Sequence, residues 1–137
     1  MKKLILFVAL ILTVVLTYGQ TLKKGNLVGT HVMTVTLQPG VTMEQFIGFY
    51  SSKVIPEMNT FDPNWKMYLV KSIRGENENS FGVIHIIKSE KDRDKYYNAD
   101  GSSNEAGNKL MEKYNPLMEE LKKYGTVTTK YTDWLVI

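Results

Sequence analysis

The sequence predicts a single small α+β domain that follows an N-terminal export signal. Three observations lead to this prediction. A short apolar run occupies the N-terminus, segments rich in Val, Thr and Ile have the composition of strands, and two segments with apolar residues at helical spacing lie between them. The 137 residues include no cysteine, so neither a disulfide nor thiol chemistry contributes to the domain.

Residues 1–19 have the pattern of a cleavable signal peptide. Lys2 and Lys3 are positive, Leu4 to Leu16 is apolar apart from Thr13, and Thr17-Tyr18-Gly19 resembles a cleavage site. The apolar run is shorter than the roughly 20 residues that span a bilayer as a helix. We therefore expect a mature domain of residues 20–137, exported to the periplasm or secreted by a bacterium, without a stable membrane anchor. A retained N-terminal anchor is the alternative.

Composition excludes several classes of function. Loss of Lys2 and Lys3 with the signal lowers the formal net charge from +3 to +1, so the mature domain lacks the strong positive charge typical of nucleic-acid-binding proteins. The sequence contains no glycine-rich phosphate loop, no serine nucleophile elbow and no metalloprotease motif. A domain without disulfides must be stabilised by packing, to which a second subunit can contribute.

The first strand is predicted over Val28–Leu37, where Val and Thr alternate with other residues. Thr42 and Gln45 have the spacing of a capping box, so a helix is predicted from Met43 to about Ile55. Its apolar stripe consists of Phe46, Phe49, Tyr50 and Val54. Pro56 is expected to end or kink this helix because proline lacks a backbone N–H.

A hairpin is predicted next, with strands over Trp65–Arg74 and Ser80–Lys88 and a polar loop over Gly75–Asn79. The third strand places apolar side chains on both of its faces through Val83, Ile84, Ile86 and Ile87. A strand buried on both faces needs cover on both sides, and two helices of one small domain cover only one of them. This mismatch predicts that a second copy of the chain covers the other face.

Ser89 is expected to cap a short helix that runs through Tyr97. A longer helix follows, with Leu110, Tyr114, Leu117 and Leu121 in register, a kink or restart at Pro116 and a C-cap at Gly125. The last strand is predicted over Thr126–Ile137. The order is then β-α-β-β-α-β, and right-handed crossovers turn it into a ferredoxin-like antiparallel sheet with both helices on one face.

With this pattern the sequence resembles the dimeric α+β barrel superfamily, in particular stress-responsive A/B barrel and antibiotic-biosynthesis monooxygenase domains. The resemblance covers residues 27–136. It rests on His31 early in the first strand, on the Thr42-capped helix that reaches Pro56, and on the passage from the third strand into Ser89–Tyr97. It implies a homodimer whose two sheets close into a barrel, with an apolar pocket between each sheet and its helices. Relatives use this pocket for cofactor-free oxidation, for polyketide cyclisation or for haem.

His31 is the side chain with the clearest chemical potential, because imidazole acts as a general base near neutral pH. A hydrogen-bonded structural histidine is the favoured alternative. In cyclase-like relatives a second histidine follows the third strand, but the matching stretch Tyr97–Gly101 has none, which argues against cyclase chemistry. The only other histidine, His85, is expected beside His31 because the first and third strands should be antiparallel neighbours. Two histidines alone are too few for a zinc site, so neither a metal nor a cofactor is predicted.

The leading functional prediction is a homodimer that binds a small apolar or aromatic molecule between its sheet and helices. The predicted ligand-binding residues are His31, Met33, Tyr50, His85 and Tyr97. One alternative is a cofactor-independent monooxygenase or related enzyme with His31 as its base. The other is a dimerisation or scaffold module that has no ligand and fills the pocket with its own side chains. Trp134 on the last strand is a candidate for closing the dimer or the barrel.

Overall fold

A computed structural model describes residues 22–78 and 80–137. The predicted signal peptide, residues 1–19, lies outside the described residues and stays a prediction. Within the described residues, no helix combines the length and the apolar character that crossing a membrane requires.

Four strands form one antiparallel sheet in the order β2-β3-β1-β4. The elements in chain order are β1 (Leu27–Leu37), α1 (Met43–Phe49), a π-helical turn (Tyr50–Val54), α2 (Ile55–Met58), β2 (Trp65–Lys71), β3 (Phe81–Ile87), α3 (Glu90–Arg93), α4 (Glu105–Lys122) and β4 (Gly125–Leu135). The predicted α+β class is confirmed, and the arrangement is compatible with a ferredoxin-like fold.

Strand β1 lies inside the sheet and pairs with β3 on one side and with β4 on the other. Its odd-numbered residues face the helices, as the buried Leu27 and Met33 show, whereas Thr34 and Thr36 on the opposite face are exposed. The buried apolar side chains that form the core are Leu27, Met33, Phe46, Phe49, Val54, Trp65, Met67, Val83, Ile87 and Leu121. The core therefore lies between one face of the sheet and the helices.

The capping box at the start of α1 is confirmed. The Thr42 hydroxyl accepts from the Gln45 N–H at 3.2 Å, and the Gln45 side chain accepts from the Thr42 N–H at 2.8 Å. The predicted end of this helix is wrong, because the chain continues through the π-helical turn, where the Ile55 N–H donates to the Tyr50 carbonyl, and then through α2. Pro56 in α2 explains the wider turn: a proline ring clashes with the carbonyl four residues earlier in a regular α-helix.

Three other boundary predictions are corrected by the structure. The helix capped by Ser89 ends at Arg93 instead of Tyr97, and α4 runs through Pro116 without a break. Gly125 does not cap α4, since Lys123 is the C-cap and Gly125 begins β4. A Cβ atom at residue 125 would lie 2.7 Å from the Thr36 carbonyl oxygen, so close backbone approach explains the glycine there.

Tyr114 on α4 is only 1% exposed, and among the described residues its hydroxyl has no hydrogen-bond partner. A buried hydroxyl without a partner loses the hydrogen bonds that it makes to water in the unfolded chain. Tyr96 differs, because its hydroxyl donates to the buried carboxylate of Asp62 at 3.1 Å.

Replacement of Tyr114 by Phe is expected to leave the free energy of unfolding unchanged or to raise it by about 1 kcal/mol, because the ring keeps its packing and the unpaired hydroxyl is gone. The matched variant Tyr96→Phe should lower that free energy by about 1 kcal/mol or more, because it removes a donor to Asp62. Urea unfolding of both variants checks this pair. Equal destabilisation by the two changes would contradict the assignment of Tyr114.

Candidate functional site: a cavity between the sheet and the helices

A cavity of about 550 Å³ opens between the helix-facing side of the sheet and the helices. It is lined by His31, Tyr50, Val54, Ile55, Met58, Met67, Val83, His85, Tyr97, Met111, Met118, Leu121, Lys122, Gly125, Thr126, Val127 and Thr129. Most of these side chains are apolar, and the π-helical turn contributes Tyr50 and Val54. A predominantly apolar cavity of this size with a few polar groups is typical of small-molecule sites.

Four aromatic rings form a row across the sheet at one end of the cavity, in the order Tyr131, His31, His85, Trp65. The ring centroids of Tyr131 and His31 are 4.4 Å apart, those of His31 and His85 are 4.7 Å apart, and those of His85 and Trp65 are 5.7 Å apart. The row follows from strand register. His31 on β1 is paired with Tyr131 on β4, and Gly29, two residues before His31, is paired with His85 on β3, so the three side chains lie on the same face of the sheet. We refer to these four residues as the aromatic row.

His85 is oriented by a hydrogen bond within this row. The Trp65 indole N–H donates to Nδ1 of His85 at 3.0 Å. A neutral imidazole carries one proton, so an accepting Nδ1 leaves that proton on Nε2. The tautomer of His31 is not fixed in this way, since its Nδ1 lies 3.3 Å from the Thr129 hydroxyl, a group that both donates and accepts.

The other end of the aromatic row is tied to a charged pair. The Tyr131 hydroxyl donates to one carboxylate oxygen of Asp133, and the Arg93 Nε donates to the other at 3.1 Å. Gly29 makes room for this arrangement, because a Cβ atom there would lie 3.1 Å from the Tyr131 ring and 3.3 Å from Asp133. The carboxylate therefore holds the Tyr131 ring against His31.

Both histidines are neutral at neutral pH. Burial lowers the pKa of His31, although the nearby Asp133 carboxylate opposes the shift. Burial, with a smaller contribution from the charge of His31, lowers the pKa of His85 to about 3. Burial and the hydrogen bond to Asp133 raise the pKa of Tyr131, so its hydroxyl stays protonated. The aromatic row is consequently uncharged, and it borders the cavity through His31 and His85.

Lys122 is the one charged side chain among the described residues that line the cavity, and its Nζ lies 2.5 Å from a Glu119 carboxylate oxygen. The two charges offset each other at the exposed end of α4. Burial raises the pKa values of Tyr50 and Tyr97, which keeps both phenols neutral as well. The interior therefore presents no net charge to a ligand.

The structure brings together four of the five predicted site residues, His31, Tyr50, His85 and Tyr97. The expected proximity of the two histidines is confirmed. Met33 is the exception: its side chain is packed in the core and does not line the cavity.

Two features of the site were not predicted from the sequence: the contact between Tyr131 and His31, and the four methionines that line the cavity, Met58, Met67, Met111 and Met118. Met111 and Met118 are seven residues apart on α4, which is two helical turns, so their spacing was an available signal. Gly29 within a predicted strand was another, because glycine there often marks a close approach by a neighbouring group.

Within the described residues, no group of three or more His, Cys, Asp or Glu side chains is placed to hold a metal ion. The fold and the cavity thus define an α+β protein with a neutral, largely apolar site. Comparison with family models, curated proteins and solved structures gave no match for this chain.

The lowered histidine pKa values predict that stability falls on acidification. The pKa of His85 is about 3 in the folded protein and ordinarily about 6.5, so between these values the unfolded chain binds more protons. Above about pH 6.5 His85 is neutral in both the folded and the unfolded chain, and the free energy of unfolding has its full value. It decreases as the pH falls from about 6.5 towards 3, because only the unfolded chain then takes up the proton. From about pH 6.5 to about pH 5, His85 alone should lower the free energy of unfolding by about 2 kcal/mol.

Urea unfolding across this pH range checks the prediction, with His85→Phe as the informative variant. Its stability should depend less steeply on pH than that of the wild type, whatever its absolute stability. His31→Phe should reduce the slope as well, since the pKa of His31 is also lowered. Parallel slopes for the wild type and His85→Phe would show that His85 is not buried in its neutral form.

Proposed function

We propose that the protein is exported and binds a small apolar or aromatic molecule in the cavity between its sheet and its helices. The observation that carries this proposal is the open cavity of about 550 Å³, lined mainly by apolar side chains and by His31 and His85 of the aromatic row. Burial of apolar ligand surface in such a cavity is favourable, at about 25 cal/mol per Å². The signal-peptide pattern of residues 1–19 supports export.

The cavity weighs against the scaffold alternative, which expects the pocket to be filled by the protein's own side chains. The cofactor-independent monooxygenase with His31 as its base stays a prediction. Neutral His31 beside the cavity meets one requirement of a base, but it equally suits a residue that only contacts a ligand.

At the level of fold, we propose a ferredoxin-like β-α-β-β-α-β domain that pairs into a dimeric α+β barrel. The strand order β2-β3-β1-β4, with helical segments after β1 and after β3, supports this assignment. Both crossovers then return to the same side of the sheet, where the core and the cavity lie.

The sheet face opposite the helices is the proposed dimer interface. Its central strands contribute Val28, Val32, Ile84 and Ile86, and Trp134, which is 60% exposed, lies beside Val28. Lys66 and Lys130 lie on the two edge strands of the same face, so an apolar centre has a polar rim. A second copy of the chain is the proposed occupant, because a two-fold axis places such a self-complementary apolar strip against itself.

Binding in the cavity is testable with fluorene, an uncharged tricyclic hydrocarbon. Fluorene should raise the melting temperature of the protein increasingly with concentration, since a ligand that binds the folded state stabilises it. Val127→Trp places a large side chain at the cavity wall and should abolish this rise. Ile73→Trp, at a residue that is 74% exposed outside the strands, is the control and should preserve it. Retained binding in Val127→Trp would place the ligand elsewhere.

Dimerisation is testable by light scattering at micromolar concentration, where the wild type should have twice the mass of the chain. Ile84→Lys should yield a monomer, because a charge in the centre of an apolar interface is costly to bury. Ile73→Lys, at a residue that is 74% exposed outside the strands, is the control and should remain dimeric. A monomeric wild type would refute the proposed interface.

A further inference from the structure

His85 differs from the other polar groups of the cavity because a hydrogen bond from a core residue, Trp65, fixes which of its ring nitrogens carries the proton. The Trp65 indole N–H occupies Nδ1 at 3.0 Å, so Nε2 carries the proton and acts as a donor only. Trp65 itself is 3% exposed and belongs to the core. Rotation of the indole away from His85 would thus disturb the core, which makes the tautomer a structural property of the fold.

The Nε2–H group of His85 is available to a ligand. Among the described residues Nε2 has no hydrogen-bond partner, yet it is not among the buried polar atoms that lack one. It is therefore not fully buried, and because the open space that His85 lines is the cavity, we place Nε2–H at the cavity wall. A donor at the wall of an apolar cavity favours a ligand that places an acceptor opposite it, because an unpaired polar group is costly when a ligand excludes water from it.

The other polar groups of the cavity are not limited to donating a hydrogen bond. His31 faces a hydroxyl that both donates and accepts, and the phenols of Tyr50 and Tyr97 also have both roles. Lys122 is paired with Glu119, so no unpaired charge among the described lining residues compensates an ionised ligand. A charged ligand would lose its hydration without gaining a counter-ion.

The geometry points to a ligand class: an uncharged, largely apolar molecule with a ketone-type carbonyl that accepts a hydrogen bond from Nε2–H of His85. This inference rests on the proposed function, because it requires that the cavity binds a small molecule at all. It assigns Trp65 as a positioning residue, which acts on the ligand through His85. A purely structural Trp65–His85 hydrogen bond would make the same core contact but would give no preference for a carbonyl.

The test compares fluorenone with fluorene, which differ by a carbonyl in place of a methylene group. In a merely apolar cavity fluorene should bind more tightly, because its transfer out of water is more favourable. With the hydrogen bond to His85, fluorenone should bind about five- to tenfold more tightly than fluorene. The carbonyl stretch of bound fluorenone should also shift to lower frequency than in an apolar solvent. Fluorenone-2-carboxylate should bind more weakly than fluorenone.

Two variants assign the preference to the Trp65–His85 pair. His85→Phe should bind both probes with the order reversed in favour of fluorene. Trp65→Phe releases Nδ1, so ¹⁵N NMR should detect a mixture of His85 tautomers together with a reduced preference for fluorenone. The double variant Trp65→Phe/His85→Phe leaves neither partner unpaired and provides the test if His85→Phe alone does not fold.

The outcomes separate this inference from the proposed function. Binding of both probes with fluorene preferred, or a wild-type His85 protonated at Nδ1, would overturn the inference and leave the proposed function standing. Binding of neither probe would overturn both. A fluorenone preference that disappears in His85→Phe or in the double variant, with a shifted carbonyl stretch in the wild type, would establish it.

Discussion

Strand β1 lies inside the sheet, and its pairing on both sides fixes the arrangement of the core and the cavity. β1 is hydrogen-bonded to β3 over residues 27–33 and to β4 along its whole length. Because side chains alternate along a strand, this pairing decides at once which residues enter the core, which line the cavity and which remain on the open face. A shift of register by one residue would turn His31 and Met33 away from the helices and bring Val32 and Thr34 towards them.

The cavity combines polar side chains with the absence of net charge, and burial is the physical cause. Imidazole and phenol groups that lie in a partly buried position keep their neutral forms, so the pKa values of His31 and His85 fall while those of Tyr50 and Tyr97 rise. The charges that do occur nearby are paired, as in Arg93 with Asp133 and Lys122 with Glu119. Each of these charges has a partner of opposite sign, so the cavity itself has no net charge.

The fold class was predictable because its signals are local. Alternation identified the strands, the Thr42 capping box located the start of α1, and the spacing of Tyr114 and Leu121 identified the buried side of α4. Element ends were less predictable, since Pro56 and Pro116 both lie inside helical segments that continue. Proline weakens a helix locally, but packing of the following turn against the core can compensate for the lost hydrogen bond.

The α+β class, the order of the elements and the helix-facing side of β1 could be predicted from the sequence, because these depend on periodicity and on residue type. It also placed His31 beside His85, through the expected pairing of the first and third strands. Three features could be read only from the folded chain: Trp65 donates to His85, Asp133 holds Tyr131 against His31, and Met33 lies in the core. These features depend on distances and angles between packed side chains of different strands, as in the contacts of Trp65 with His85 and of Tyr131 with His31, which no local pattern encodes.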